Sequence, residues 1–511
     1  MLSRLDAIRS MRDGGTLDVL VVGGGIVGSG VARDAAMRGL RTALIDRHDF
    51  AFGTSSRSSR LLHGGLRYLA QGRIGLVREA SVEKVVISRI APHLAAPLPF
   101  IFPTHRGTEW KRWKLAIGVK AYDLLCSGQN LGKSEVLSQD ETLAKLPGLD
   151  PKGLTGAVRY FDGLTNDARL VLDTIRSAAA AGAIVANYAA LEHATADGET
   201  WKCRVSDRLD KGADVELRAR CVVNATGAWA ETLAASGVEL RLTKGVHLVV
   251  DRARLSIPDA VVMAEGSRIL FAIPWGQRVI LGTTDTDYDG PIDTPVCDES
   301  DVRYVLGVAN ATFPTAHLEP RDVISSWAGL RPLIAGGSNG KGKPSDISRR
   351  HQIRMTHPGW LDVAGGKLTT YRLMAEQTVD EVVAYTKRPA AACTTDKTPL
   401  LSNGHSPRYS GILPPDVSPA ACEHFVKNEW AVTLSDIMIR RTSWRYYHHD
   451  HLDVAAKVAG WMAELLGWDE AKRERELLAY REQTDTPACQ QQQSPPRPQA
   501  RAGISAEIQP A

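Results

Sequence analysis

Five glycines between positions 23 and 30 are the first residues of this chain whose spacing could do chemistry. Gly23 permits a tight turn, Gly25 lets backbone approach a pyrophosphate, and Gly28 lets the following helix pack close to the strand before it. Free N–H groups and the dipole at that helix start favour anionic phosphates. Asp46 ends the next apolar run, where a carboxylate would meet ribose hydroxyls. A second glycine turn, Gly365-Gly366-Lys367, precedes a helical run from Leu368 to Tyr385 and offers another site for an anion or an electron-rich ring. Two weaker constellations carry less. GGSNGKGKPS resembles a P-loop but fails the test, because Lys341 is followed by Gly342 and no strand feeds it. His448, His449 and His451 cluster near Asp450, but adjacent histidines do not share a helix face and no cysteine accompanies them. A solvated helix start explains them better than a metal site.

The elements that must position the glycines are legible around them. Val19 to Val22 reads as a buried strand, the segment with Ala32, Ala35 and Ala36 as a helix stopped by Gly39, and Thr42 to Ile45 as a second strand. Strand, glycine turn, helix, strand and acid make a dinucleotide-binding βαβ unit, which an ordinary strand-turn-helix would not need to complete. Phe52 to Arg60 (FGTSSRSSR) and Leu61 to Leu69 (LLHGGLRYL) follow. They could lie against a flat cofactor, with Thr54, Ser55, Ser58 and Ser59 supplying hydroxyls and Gly64 and Gly65 close approach. A strand from Arg220 to Ala225 runs into NATGAW, whose Gly227 suits backbone passing near the same cofactor. Gly366, Lys367, Leu368 and Thr369 complete the cofactor set.

The remaining chain bounds the fold and excludes some functions. At 511 residues, two or three domains are expected. With 62 basic and 58 acidic residues the charge is nearly balanced, so nothing argues for nucleic-acid binding. Seven scattered cysteines with no C-x-x-C pair fit a reducing compartment and no disulfide framework. No secretory signal is read at the N-terminus, and no apolar run is long enough to span a bilayer, so membrane contact would be peripheral. His105 to Leu125 mixes Trp110 and Trp113 with Lys111, Arg112, Lys114 and Lys120 on an apolar helix. Composition alone fits a membrane-interface helix and an ordinary amphipathic helix equally. Val77 to Ile90 and Asp167 to Ala181 read as helices. Trp201 to Val205 with Ala213 to Ala219 read as a hairpin. Arg241 to Asp289 reads as an antiparallel sheet. Helical patterns recur at Glu423 to Ile439 and Asp453 to Glu482.

The fold class is therefore α/β plus α+β: a Rossmann-like βαβ domain, an antiparallel-sheet cap domain for substrate and a small helical C-terminal domain. The expected boundaries are an N-terminal extension over 1–17 and a main region over 18–399. In that region the cofactor domain takes 18–90, 150–235 and 345–390, interleaved with the cap at 91–149 and 236–344. A helical domain over 400–483 and a disordered tail over 484–511 follow.

Several pieces together resemble the FAD-dependent glycerol-3-phosphate dehydrogenases. They are VGGGIVGSGVARDAAMRG (Val22 to Gly39), SSRSSRLLHGGLRYL (Ser55 to Leu69), NATGAW, IPW (Ile273 to Trp275), GTTDTDY (Gly282 to Tyr288), GLRPL (Gly329 to Leu333) and GGKLTTYRLMA (Gly365 to Ala375). They occur in order over roughly Asp18 to Arg388, with weaker likeness beyond.

The resemblance implies bound FAD, oxidation of sn-glycerol 3-phosphate to dihydroxyacetone phosphate, and electrons passed to membrane quinone by an enzyme held peripherally at the inner face of the cell membrane. That tilts the Trp/Lys/Arg helix toward lipid contact, and it leaves room for a homodimer. It makes Arg67 and Arg349 the leading phosphate ligands, with Tyr68 beside Arg67. Arg331 and Lys367 become the cations that orient the reacting hydroxyl. His247 and His63 become the candidate bases, His247 slightly ahead. Asp46 stands where many relatives carry glutamate, and Arg350 where an acid usually follows the phosphate arginine. An oxidase that reduces oxygen, or a flavin amine or amino-acid oxidase, shares much of this pattern.

Overall fold

The computed structural model describes residues 2–70, 72–126, 130–210, 214–266, 268–335, 351–401 and 408–484. Arg349, the glycine- and lysine-rich segment around it and the expected tail over 485–511 lie outside the described residues.

The strand Leu17–Val22 is buried along its whole length, as its apolar LDVLVV sequence requires. It pairs in parallel with Thr42–Ile45 on one side and Val215–Asn224 on the other. Ile184–Ala186 and Trp360–Ala364 extend the parallel sheet outward. A sheet buried on both faces needs cover on both; the helix Ile26–Met37 covers one face with its small-residue side, and the helix Arg4–Asp13 lies on the other. Gly30 on that helix faces Tyr371 and Ala375, so helix Tyr371–Thr386 packs at close range. The α/β plus α+β fold class expected from the sequence is the one observed.

The second sheet is built on Leu240–Asp251 and Val323–Ile334, antiparallel over nearly their full length, with His247 opposite Trp327. Arg278–Gly282, Arg268–Trp275, Ala260–Glu265, Ala96–His105 and Leu154–Leu164 continue it. Helix Glu299–Thr312 covers one face with an aliphatic core that includes Val302, Val305 and Ala309. The other face carries an aromatic core, with Phe100, Phe102, Tyr160 and Trp327, and meets helix Arg112–Leu125.

Several boundaries differ from the sequence reading. The runs read as two strands, Ala213 to Ala219 and Arg220 to Ala225, are one strand, Val215–Asn224. Its first half pairs antiparallel with Thr200–Asp207 and its second half parallel with Leu17–Val22, so the burial pattern changes midway. Leu154–Leu164 and Leu61–Leu62, placed by sequence in the cofactor domain, belong to the second sheet. The first seventeen residues are not an appendage. Arg4–Asp13 is a helix whose Ala7, Ile8 and Met11 join the core, and its Arg4 is bound to Asp207. Trp110 lies before helix Arg112–Leu125 and not on it. The run Glu423 to Ile439 breaks after Pro419–Asn428, and Gly467 in the left-handed conformation divides His451–Leu466 from Glu470–Thr484.

The C-terminal helices own a core of Cys422, Phe425, Trp444, Val458 and Met462. Buried charges fasten that core to the cofactor domain. Arg169 donates to both carboxylate oxygens of Glu429, at 2.5 and 2.9 Å, and Arg176 lies 3.3 Å from Glu429. Arg441 and Arg440 both donate to Asp49, which follows Asp46 by three residues. Breaking such a pair on one side leaves a charge uncompensated, which costs about 3–5 kcal/mol. Glu429→Ala should lower unfolding free energy by that amount, read from denaturant midpoints. The nearby guanidinium of Arg169 holds the Glu429 carboxyl well below the ordinary range despite its burial. Its contribution is therefore full above the ordinary carboxylate pKa and is lost as pH falls toward the folded-state value. Wild-type stability should drop in acid more steeply than that of Glu429→Ala.

Candidate active site

The glycine turn is built as a cradle. Gly23 has φ of +108°, and a Cβ on Gly28 would stand 1.9 Å from Gly23 O, so no side chain fits at that crossing. Ile26 N, one of the free donors at the helix start, meets Ser55 Oγ at 3.0 Å. The Asp46 carboxylate accepts from Gly24 N at 2.7 Å and His48 N at 2.8 Å, tying turn and second strand together. Burial raises the Asp46 pKa to about 7, against the pull of those two N–H groups.

Two cavities meet beside this turn. One, of about 320 Å³, runs along Gly23, Gly25 and Asp46, past Gly227, to Gly366 and Leu368. The other, of about 810 Å³, holds Ser58, Ser59, His63, Tyr68, His247 and Arg331. Ile26, Thr54, Ser55, Gly366, Lys367 and Leu368 line both, so together they form one elongated space. Its first arm has glycine backbone, a helix start and a half-buried acid, and its second has cations and an imidazole. That donor set fits a dinucleotide whose reactive ring lies toward the second arm.

The imidazole of His247 is 2% exposed and stacks on Trp327 with centroids 5.1 Å apart. Burial, then the charges of Arg331 and Arg60, lower its pKa to about 3. It is neutral at ordinary pH. Ser59 Oγ lies 2.8 Å from His247 Nε2. Arg331, on the same pair of strands, is held over the cavity by Thr284 O at 3.1 Å, Asp285 at 3.1 Å and Thr283 Oγ1 at 2.9 Å. Lys367 Nζ sits 4.4 Å above the Tyr68 ring.

The other sequence-named residues divide into wall and support. Gly28 lies beneath the turn and Gly64 behind the cavity wall, where a Cβ would strike Ser81 and Tyr122. Gly65, with φ of +84°, lines the cavity. Thr369 binds the backbone of His63 through its hydroxyl, accepting from His63 N at 3.0 Å. Arg67 falls on the short helix Leu66–Ala70, and its side chain lies outside the description.

Three buried residues escaped the sequence reading. Tyr122 Oη accepts from Gly64 N at 2.7 Å and donates to Asp162, whose charge is met by Lys84 Nζ at 2.9 Å. An acid inside the apolar strand segment RYFDGL was the available signal.

The family described as "FAD dependent oxidoreductase" matches residues 18–372, and "C-terminal domain of alpha-glycerophosphate oxidase" matches residues 413–473. The chain is 35% identical to "Glycerol-3-phosphate dehydrogenase 2" of Mycobacterium bovis, over 93% of this chain and 89% of that one. The chain belongs to the FAD-dependent glycerol-3-phosphate dehydrogenase family. It is also 40% identical to "Aerobic glycerol-3-phosphate dehydrogenase" of Staphylococcus epidermidis over 71% of its length and 66% of that protein's. The glycerol-3-phosphate dehydrogenase of Bacillus halodurans, solved with FAD, superposes with a TM-score of 0.76 at 30% identity, covering 94% of this chain and 98% of that one.

In this family setting the crossing of Gly28 under Gly23 is the tightest requirement for cofactor. Gly28→Ala should give folded protein that retains less than about a tenth of the wild-type flavin, because turn and helix must part by more than an ångström. Visible absorbance of the purified variant, alongside its far-UV circular dichroism, checks this.

Proposed function

We propose that this enzyme oxidises sn-glycerol 3-phosphate to dihydroxyacetone phosphate and passes the electrons to a membrane quinone. The observation that carries the reading is the single cavity in which neutral His247 meets Arg331, Tyr68 and Lys367 beside the dinucleotide arm. FAD, held by the glycine turn, Asp46, the Thr54–Ser55 hydroxyls and the Gly366–Leu368 helix start, would supply the hydride acceptor. Arg331 and Lys367 offer charge to a dianionic substrate, and the resemblance adds Arg67 and Arg349 as phosphate ligands. His247 accepts the carbinol proton as the C–H hydride leaves. His63 lines the same cavity, with its backbone fixed by Thr369.

The acceptor reading draws on helix Arg112–Leu125. Trp113, Ile117 and Leu124 are 61%, 64% and 78% exposed along one stripe, with Lys114 over the Trp113 ring. Exposed large apolar groups flanked by lysines suit an anionic lipid surface at the inner face of the membrane. Among the described residues no helix is long and apolar enough to cross a membrane.

Turnover with a soluble dye tests the substrate. Product should appear one for one with reduced dye, and Arg331→Ala should lose roughly 30- to 160-fold in kcat/KM, the equivalent of about 2–3 kcal/mol for a charge-assisted contact. Stoichiometric peroxide in air without dye would replace the quinone reading with an oxidase. Trp113→Ser with Leu124→Ser should abolish sedimentation with anionic vesicles and leave dye-linked turnover unchanged. Undiminished vesicle binding would remove this helix from the membrane reading.

A further inference from the structure

The turn at residues 63–65 is clamped from two sides. On the cofactor side, the Thr369 hydroxyl accepts from His63 N at 3.0 Å and donates to His63 O at 3.2 Å. From behind, Tyr122 Oη accepts from Gly64 N at 2.7 Å and donates to Asp162. Burial first, and then the Asp162 charge, push the Tyr122 hydroxyl well above its ordinary range, so it keeps the proton it donates. Lys84 Nζ meets the Asp162 charge at 2.9 Å. The same ammonium donates to Asn130 Oδ1 at 2.9 Å and Phe161 O at 3.1 Å, which uses all three of its protons. A buried charge pair therefore fixes the direction of the Tyr122 hydroxyl. The substrate arm begins where this turn ends. A Cβ on Gly65 would stand 2.5 Å from the Tyr68 ring and 3.4 Å from Lys367 Nζ. Tyr68 N donates to Gly65 O at 2.9 Å, so the short helix Leu66–Ala70, which carries Arg67 and Tyr68, starts from the turn.

We propose that Tyr122 is a positioning residue for substrate binding: its hydroxyl holds Gly64 in place and so sets where the Arg67–Tyr68 helix stands against Lys367. The proposal rests on the reading of this arm as the glycerol 3-phosphate site. Asp162 and Lys84 act one step further back, by orienting the hydroxyl. A phenylalanine ring would fill the same space and leave Gly64 N only the Asp162 carboxylate, 3.4 Å away. An N–H without a good acceptor in a buried site is costly, and the turn would shift to relieve it. His247 is held separately, by Ser59 and by stacking on Trp327, so the loss falls on binding before it reaches the proton step.

The test uses flavin-loaded wild type, Tyr122→Phe and Val119→Ala. Val119 is buried on the same side of helix Arg112–Leu125, and its truncation loosens the helix without removing any of these hydrogen bonds. Tyr122→Phe should keep its flavin and hold dye-linked kcat within about threefold, while KM for glycerol 3-phosphate rises roughly 10- to 100-fold, as when binding groups leave their register. Val119→Ala should lose melting temperature and hold KM within about twofold. Deuterium exchange of the backbone over 61–69 should be slow in wild type and in Val119→Ala, and faster in Tyr122→Phe. Wild-type KM in Tyr122→Phe, an equal rise in Val119→Ala, or exchange over 61–69 that is the same in Tyr122→Phe and wild type would each overturn the proposal. If Tyr122→Phe does not fold, the Gly64 amide of wild type decides: exchange as slow as in the buried strand Leu17–Val22 supports the anchor, and exchange at the rate of an open loop overturns it. If glycerol 3-phosphate fails to reduce wild-type flavin, the functional reading falls, and the exchange comparison still decides what Tyr122 holds.

Discussion

The site exists because the loop after the dinucleotide turn packs against the second sheet at one glycine. Gly329, on the strand Val323–Ile334, lies so close to the serine-rich segment that a Cβ there would stand 2.7 Å from Arg57 O. On either side of that contact, Thr54 Oγ1 donates to Leu330 O and Trp327 Nε1 donates to Ser58 O. The seam brings the loop that follows the dinucleotide turn against the strand pair that carries His247 and Arg331. Without it, the cradle and the cations would belong to separate surfaces. A side chain at position 329 would push the two arms of the cavity apart.

The same seam explains the electrostatics. A loop pressed between two sheets loses its water, and its charged groups must find other partners. Arg60 lies with its guanidinium 4.3 Å from the Trp275 ring and 5.3 Å from that of Trp327. Burial above all, and then the charges of Arg331 and Arg60, keep the His247 imidazole neutral. The cavity therefore holds cations suited to an anionic substrate and an uncharged base among them. Behind it, the C-terminal helices meet the loop where Arg60 donates to Ser443 Oγ at 3.0 Å, and meet the strand Val323–Ile334 where the Ser325 hydroxyl donates to Tyr446 O at 2.8 Å. Arg440 and Arg441 reach across to Asp49, near the ribose-side acid. The helical region thus braces the loop between Asp46 and Arg60 from outside.

Much of this was legible where function is local. The stretch from Gly23 to Asp46 announces itself because a phosphate cradle needs glycines at fixed offsets and an acid one strand later. The fold class followed from that unit and from the alternating strands after Arg241. Partnerships across the chain were not legible. Ser59 and His247 are 188 residues apart and Gly64 and Tyr122 are 58 apart, and no periodicity links them. Val215–Asn224 was read as two strands because its neighbours change midway, from a half-exposed hairpin to a sheet buried on both faces. Leu154–Leu164 fell within the expected cofactor domain, yet it pairs in the second sheet, because position along the chain does not name a partner. Motif order identified the family, while the placement of Ser59 and the C-terminal brace came from the coordinates.

The central claim is that this cavity delivers hydride from a phosphorylated secondary alcohol to flavin. Anaerobic mixing of oxidised, flavin-loaded enzyme with substrate, followed by flavin absorbance, tests it most directly. The account predicts complete bleaching by sn-glycerol 3-phosphate within a turnover time, and no comparable bleaching by its enantiomer, glycerol or glycine. Bleaching by an amino acid, with glycerol 3-phosphate inert, would contradict it.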